Sequence, residues 1–363
     1  MIKQNRTCIC FLANAGSVHT QRWAKHFANK GYQVIVISFQ PGEIEGVTVI
    51  QLPLVSLHFQ INILLNLLKI RRLVREIEPD ILHAHYATSY GLAGALTGRH
   101  PYIVTAWGSD VLIMPARSWI YRKIVRYALR AADIVTSMAP HMTRHMIFEK
   151  LCRAEKIVTL PFGTDTSLFN PSSRKSGDTE DSPVIVSNRR LDAGMNVDLF
   201  VRAIPAVIKV FPDARFIVAS DGTERPTIQK LTLELGVEAN VEFRGHVLPS
   251  QMPMLLGNAD IFVSTSPSDG NNISLCEAMA CGAFPIATDI SANQDWITTG
   301  VNGFLFPVRD HNELARCIIE SLKKPTWRRS VQAGNYNIIL DKGSWDKNME
   351  IMTFEYEKIL RKS

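Results

Sequence analysis

The chain has no Cys-x-x-Cys pair, no Asp-x-Asp, no Gly-x-Gly-x-x-Gly and no long apolar run. Each absence removes a class of protein. Without paired thiols, Cys8, Cys10, Cys152, Cys276, Cys281 and Cys317 read as reduced, buried cysteines of a cytosolic protein. Without Asp-x-Asp, chemistry that chelates a diphosphate through a metal has no evident residues. The turn after the first apolar strand is Asn14-Ala15-Gly16-Ser17-Val18-His19, so a nicotinamide-binding domain is a poor fit. No run reaches the roughly 20 apolar residues that a membrane span needs. The chain opens on polar residues and then one short apolar strand, so no signal peptide is expected. Heptads and short-period repeats are also missing.

What remains is ordinary globular composition, 46% hydrophobic and 20% charged. At 363 residues the chain exceeds one core, so two domains are expected. The +6 net charge is uneven: residues 1–170 hold 19 Lys and Arg against 10 Asp and Glu. Two stretches concentrate it. Leu57 to Ile77 is apolar and then carries Lys69, Arg71, Arg72 and Arg75. Arg117 to Arg130 mixes Arg122, Lys123 and Arg126 with Trp119, Tyr121 and Tyr127. Such helices can rest on an anionic membrane, though a solvated charged face is the commoner meaning.

Apolar strands and helical stretches alternate. Strands are predicted at 7–13, 33–39, 47–52, 81–86, 102–106, 134–138 and 157–160. Helices are predicted at 19–30, 61–77, 90–97 and 119–131. After a Pro/Ser/Gly-rich stretch the alternation resumes, with strands at 184–187, 216–220, 241–244, 261–264, 284–288 and 303–306. Helices follow at 197–210, 226–235, 312–322 and 344–360. This is α/β patterning with parallel sheets. The expected organisation is a doubly wound, Rossmann-like domain over 1–165 and a linker over 166–183. A second such domain follows over 184–343, then a C-terminal helix over 344–363 returning to the first. Two such domains would face each other across a deep cleft, with ligands at the carboxyl ends of the strands.

Residues 267–289, PSDGNNISLCEAMACGAFPIATD, carry the most chemistry. Asp269 lies on a polar turn and Glu277 just inside a short helix, which Gly282 ends. The amides of Asn271, Asn272, Ile273 and Ser274 lie between the acids, at a helix start suited to an anion. A phosphate there would have a carboxylate on each side for hydroxyls, the layout of a nucleotide sugar.

This segment resembles the donor signature of family 4 retaining glycosyltransferases, whose fold is called GT-B. Glu277-Ala278-Met279-Ala280-Cys281-Gly282 matches the family pattern, and Asp269 stands in place of its first glutamate. The resemblance implies that Asp269 contacts sugar hydroxyls and Glu277 the ribose. Arg190-Leu191 matches a further segment and implies a diphosphate clamp at Arg190; the family lysine is replaced by Met195. Arg189 could compensate. Gly16 and Ser17 stand where the family has a glycine-rich turn near the donor phosphate. Trp107 replaces a family histidine and cannot act as a base, while Gly108, Ser109 and Asp110 keep the pattern. His83 and His85 share one strand face; with no third ligand in sight, they read as structural.

The expectation is a transferase moving a hexose from a nucleotide-diphosphate sugar to a glycan or lipid-linked acceptor, with retention, in polysaccharide or glycolipid assembly. Asp269, Arg190 and Asp110 form the expected catalytic group. Glu277, Arg190, the 271–274 amides, Gly16 and Ser17 form the expected donor-binding group. No metal, further cofactor or nucleic acid is expected, and the setting is cytoplasmic, at the inner face of the plasma membrane. A nucleotide-sugar 2-epimerase and a non-catalytic sugar-nucleotide-binding partner are the alternatives.

Overall fold

The computed structural model describes residues 6–56, 59–173 and 182–362. Part of the expected linker, 174–181, and the head of the first basic stretch, 57–58, lie outside the described residues. The chain divides into two compact units, Met1–Pro161 with Met349–Ser363, and Phe162–Asn348.

The first unit is built on a parallel sheet of seven strands: β1 (Cys8–Leu12), β2 (Gln33–Ser38), β3 (Thr48–Gln51), β4 (Ile81–His85), β5 (Tyr102–Ala106), β6 (Ile134–Ser137) and β7 (Ile157–Thr159). Their spatial order is β3-β2-β1-β4-β5-β6-β7. Cys10 pairs with Ile35 on one side and Leu82 on the other. β1, β4 and β5 are buried along their whole length, and β1 accordingly reads as an unbroken apolar run.

The second unit repeats the plan with six strands: β8 (Val184–Ser187), β9 (Arg215–Val218), β10 (Val241–Phe243), β11 (Ile261–Ser264), β12 (Phe284–Thr288) and β13 (Phe304–Phe306). Their order is β10-β9-β8-β11-β12-β13. Two cores cover the sheet. One sets Phe200 and Ile204 against Phe216 and Phe284; the other sets Leu275 and Met279 against Phe262. In both sheets the order reverses beside the first strand, between β1 and β4 and between β8 and β11. In open sheets of this kind ligands bind in the crevice at the carboxyl ends of the strands flanking that reversal.

The C-terminal helix, Trp345–Leu360, belongs to both units by sequence. Met349, Met352 and Tyr356 form one fully buried face. Tyr356 packs on Phe27 at 4.8 Å and shares a 2.5 Å hydrogen bond with Nδ1 of His83. The three sit at helical spacing, so this face is legible in the sequence.

Two local differences have physical causes. The sequence pattern assigns no element to 139–156, yet Pro140–Phe148 is helical, with Pro140 in the first turn where it costs no hydrogen bond. The helix predicted from residue 90 is preceded by a π-turn over Tyr86–Tyr90, with Tyr86 at φ 76°. Periodicity does not register a single such turn. All six cysteines are free and buried, as expected; burial pushes the thiols of Cys281 and Cys317 up to about 12.

Candidate active site

The residues singled out in the sequence fall into two groups, one in each unit. In the second unit, the loops after β8 and β11 meet at the strand-order reversal. Helix Ile273–Ala280 starts there because the Asn272 side chain accepts the N–H of Leu275 at 3.2 Å. It stops at Gly282, whose φ of 86° disfavours a side chain.

Asp269 is paired. Its Oδ2 accepts from Arg189 Nη2 at 2.9 Å, with the two side chains only 18% and 14% exposed. Arg189 also donates through Nε to Ser266 Oγ at 2.8 Å and through Nη1 to Asn272 Oδ1 at 3.1 Å. Asn272 in turn donates to Ser264 Oγ and Asn293 Oδ1, both at 2.9 Å. Asn293 donates to the Thr288 carbonyl at 2.8 Å. The guanidinium is thus wired into the ends of β11 and β12. Arg190, which the resemblance puts at the diphosphate, has a side chain 74% exposed and pairs with Asp192 at 2.7 Å. Adjacent residues leaving a strand point opposite ways, and the inward one here is Arg189. Spacing alone does not reveal which of two neighbouring arginines turns inward.

Met195 stands at the family lysine position. Its carbonyl accepts from Thr265 at 2.9 Å, and its sulfur lies 3.6 Å from Ser266 Oγ. Glu277 is half-buried, just over one turn into the same helix. The fields of Glu277 and Asp269 both act on the buried thiol of Cys276. Burial first, then these two carboxylates, hold that thiol well above its ordinary value. Asn271 Oδ1 accepts from Trp296 Nε1 at 3.2 Å; Ile273 and Ser274 remain half-buried.

In the first unit, Asn14–Ser17 turns the chain from β1 into helix Val18–Asn29. The Gly16 N–H donates to Asn14 Oδ1 at 2.9 Å. A Cβ on Gly42 would lie 2.5 Å from the Ala15 carbonyl, so the loop after β2 can clamp this turn only with glycine. Asp110, expected in the catalytic group, is fully buried. Its oxygens accept from the N–H groups of Ala87 at 2.8 Å, Gly108 at 2.9 Å and Trp107 at 3.0 Å. Burial raises its pKa against the lowering effect of those bonds. The carboxylate fastens the Trp107–Gly108 turn to the end of β4.

His83 and His85 share a face of β4 but not an environment. His83 is held at both nitrogens, by Tyr356 at 2.5 Å and by Thr105 Oγ1 at 2.7 Å. His85 is 3% exposed, and neither ring nitrogen has a hydrogen-bond partner among the described residues. Burial, then the neighbouring His19, lowers His85 to about 3. Its ring meets Trp107 edge-on at 5.4 Å, and Trp107 lies 4.9 Å from the His19 ring. His85, Trp107 and Ser17 line a cavity of about 330 Å³ at the strand-order reversal. Strand alternation in the sequence gives the shared face and nothing of this difference. No group of three or more metal-ligating side chains is found among the described residues.

Comparison with known proteins agrees with this architecture. The Glycosyl transferase 4-like family matches residues 8–139, and the family Glycosyl transferases group 1 matches residues 169–338. A GDP-mannose-dependent monoacylated alpha-(1-6)-phosphatidylinositol monomannoside mannosyltransferase of Corynebacterium glutamicum is 28% identical over 209 residues. That match takes in 53% of this chain, and the chain spans about half of the relative's length, 54%. Sucrose-phosphate synthase from Thermosynechococcus elongatus superposes with a TM-score of 0.81 at 19% identity, covering 99% of this chain and 100% of that one. HepE of Anabaena, in complex with UDP and glucose, superposes at 0.78 and 18% identity, covering 97% and 100%. With both halves matched in order and each sheet wound as the fold requires, the chain belongs to the family 4 type of glycosyltransferases and has the GT-B fold.

Proposed function

We propose that the protein moves a hexose from a nucleoside-diphosphate sugar to a hydroxyl of a glycan or lipid-linked acceptor, with retention. One observation carries this reading. At the strand-order reversal of the second unit, a half-buried Arg189–Asp269 pair adjoins a helix start, with Glu277 in the same helix. Arg189 has five N–H donors and spends three on Ser266, Asn272 and Asp269. The other two, with the amides of Asn271, Asn272 and Ser274, suit a diphosphate, whereas the Ile273 N–H already donates to the Asn271 carbonyl at 2.9 Å. Asp269 Oδ1 suits a sugar hydroxyl, and Glu277 the ribose. In the transfer, the bond from C1 to the diphosphate oxygen breaks and a bond from the acceptor oxygen to C1 forms. The departing diphosphate takes the acceptor proton. The chain's part is to meet the charge on that leaving group and to hold the acceptor still. The transferase names of the relatives support this reading over epimerisation.

The test is a panel of UDP-, GDP- and ADP-sugars. The matching donor at 100 times its dissociation constant should add about 2.7 kcal/mol of stability, and an acceptor extract should release nucleoside diphosphate from it. Absence of both, with every donor, would reject the proposal. Because Arg189 and the helix-start amides meet the leaving charge, turnover is expected to persist in excess EDTA. Loss of activity restored by magnesium or manganese would contradict that.

The acceptor is proposed to be presented at an anionic membrane. On helix Phe59–Ile77, Leu64, Leu65 and Leu68 are 63%, 63% and 79% exposed, beside Lys69, Arg72 and Arg75. On helix Trp119–Ala131, Trp119 is 66% exposed under Lys123 Nζ, 4.6 Å from the ring centroid. Of the remaining basic residues, Arg71 binds the Leu96 carbonyl, Arg122 pairs with Glu149, and Arg126 is half-buried. Among the described residues, no helix is long and apolar enough to cross a membrane. Each basic residue near the surface contributes about 1 kcal/mol, within a Debye length. The protein should therefore pellet with anionic vesicles at low salt and leave them at high salt. Failure to pellet at low salt would remove the membrane from the proposal.

A further inference from the structure

The hydrogen-bond network behind Arg189 ends on a residue with no part in the foregoing chemistry. We propose that Asn293 is a positioning residue for the transfer, and that its side-chain amide aims the Arg189 guanidinium at the donor diphosphate through Asn272. The inference rests on the glycosyl-transfer reading and adds the residue that sets the geometry of its cation.

Three observations carry it. First, the direction of each hydrogen bond in the chain is forced. The Thr288 carbonyl can only accept, so Asn293 presents its NH2 group there, at 2.8 Å. The Asn293 oxygen is left for Asn272, whose NH2 group donates to it and to Ser264 Oγ, both at 2.9 Å. The Asn272 oxygen is left in turn for Arg189 Nη1 at 3.1 Å and the Leu275 N–H at 3.2 Å. A guanidinium can only donate, so the two ends of the chain agree. Turning either amide over would set donor against donor in the interior, which is costly.

Second, a branch reaches the same guanidinium. Asn293 also donates to Thr288 Oγ1 at 3.2 Å, and that hydroxyl donates to the Ser266 carbonyl. Ser266 Oγ accepts from Arg189 Nε at 2.8 Å. Of the three side chains that hold Arg189, Asn272 and Ser266 therefore lead back to Asn293, and the third is Asp269.

Third, the relay is sealed. Asn272, Asn293, Ser264, Ser266 and Thr288 are all buried. Water does not compete for their bonds, and each side chain keeps its partner in one orientation. A residue needed at Asn293 for packing alone would be apolar, since burying an amide is favourable only when it is fully bonded. Asn293 comes from the short helix Ser291–Gln294 after β12, about a hundred residues along the chain from the arginine it aims.

The test is Asn293→Asp, read as a ratio to wild type from weakly acidic to alkaline pH. Ionised, the new carboxylate cannot donate to the Thr288 carbonyl, and the relay breaks. Protonated, it donates its O–H to that carbonyl and accepts from Asn272, and the relay re-forms. Burial and the facing carbonyl hold this carboxyl above the usual carboxylate range. Its direct partners, Asn272 and Thr288, do not titrate. Asp289 and Asp295 on its own loop, and Arg189, Asp269 and Glu277 beyond Asn272, are the same in both proteins, so the ratio removes their titration. Turnover of the variant should fall about 10- to 100-fold at alkaline pH, the scale of a misplaced catalytic group, and recover as the pH falls. The Arg189 Nε–H resonance, assigned by its absence in Arg189→Lys, reads the relay without substrate. It should be displaced in the variant at alkaline pH and return to the wild-type position in acid. A resonance unaffected by the substitution, a loss of turnover equal at every pH, or wild-type turnover throughout would each overturn the proposal. Should the aspartate variant fail to fold, Asn293→Ser replaces it. Its hydroxyl still donates and accepts, so it should keep more turnover than Asn293→Ala and an Arg189 resonance nearer wild type; the reverse order would overturn the proposal. A resonance that follows the pH in a protein that turns over no donor would uphold the relay and reject the glycosyl-transfer reading.

Discussion

Arg189→Ala should lower turnover by about 10²–10³-fold, the cost of losing one preorganised donor to a developing anion. Arg190→Ala should change it little. The contrast follows from where the two guanidinium groups sit. Arg190 is 74% exposed and paired with Asp192 on a surface turn, and pairs of that kind contribute about 0–1 kcal/mol. Arg189 is 14% exposed and tied to three partners on the loop that also starts helix Ile273–Ala280. Its removal leaves Asp269 without its cation, a loss of about 3–5 kcal/mol when such a pair is broken in the interior. Thermal unfolding must therefore be measured beside kinetics. Arg189→Lys helps to separate the two effects: it keeps the charge but loses the fork that reaches Ser266, Asn272 and Asp269 together. A lysine variant near wild-type stability with turnover still depressed would assign the loss to the site. Equal turnover for Arg189→Ala and Arg190→Ala, or a larger loss for Arg190→Ala, would return the clamp to Arg190.

This outcome also bears on Met195. A lysine there would bring its ammonium to the loop that Arg189 already serves. Ser266, whose Oγ lies 3.6 Å from the Met195 sulfur, is the same residue that accepts from Arg189 Nε. The loop thus has one inward cation, which gives Arg189→Ala its large expected effect.

The two sheets were legible because buried parallel strands are apolar on both faces and stand out between amphipathic helices. The 267–289 candidate stood out in the sequence because its polar groups are local: Asp269, the helix start and Glu277 lie within one short stretch of chain. What depends on long-range contact was not legible. Which of Arg189 and Arg190 turns inward is decided by Ser266, Asp269 and Asn272, about eighty residues further along the chain. The difference between His83 and His85 is settled by Tyr356 and Thr105, from another helix and another strand. Asp110 kept the family pattern in sequence, yet only the fold reveals that three backbone N–H groups occupy it. Tyr86 has a positive φ that no periodicity records, because such strain is maintained by its surroundings.

Glu277→Ala should weaken nucleoside-diphosphate binding by about 10- to 150-fold, since a hydrogen bond to a charged group is worth about 1.5–3 kcal/mol. The fold should survive. Glu277 is half-buried on the helix, whereas its neighbours Leu275, Cys276, Ala278 and Met279 supply the packing. Alanine is also the best helix former, so the backbone should not suffer. Removing the carboxylate withdraws one of the two negative fields on Cys276, leaving burial as the main force that keeps that thiol protonated. Thiol reactivity should accordingly stay low in the variant, an internal check that the helix start has not opened. Calorimetry with free UDP or GDP reads the contact apart from any sugar. A loss seen with the free diphosphate and of equal size with the full donor assigns Glu277 to the nucleotide end. A loss seen only with the sugar attached would move Glu277 to the hexose and leave the ribose to another group. Unchanged affinity for both ligands would take Glu277 out of the donor site altogether.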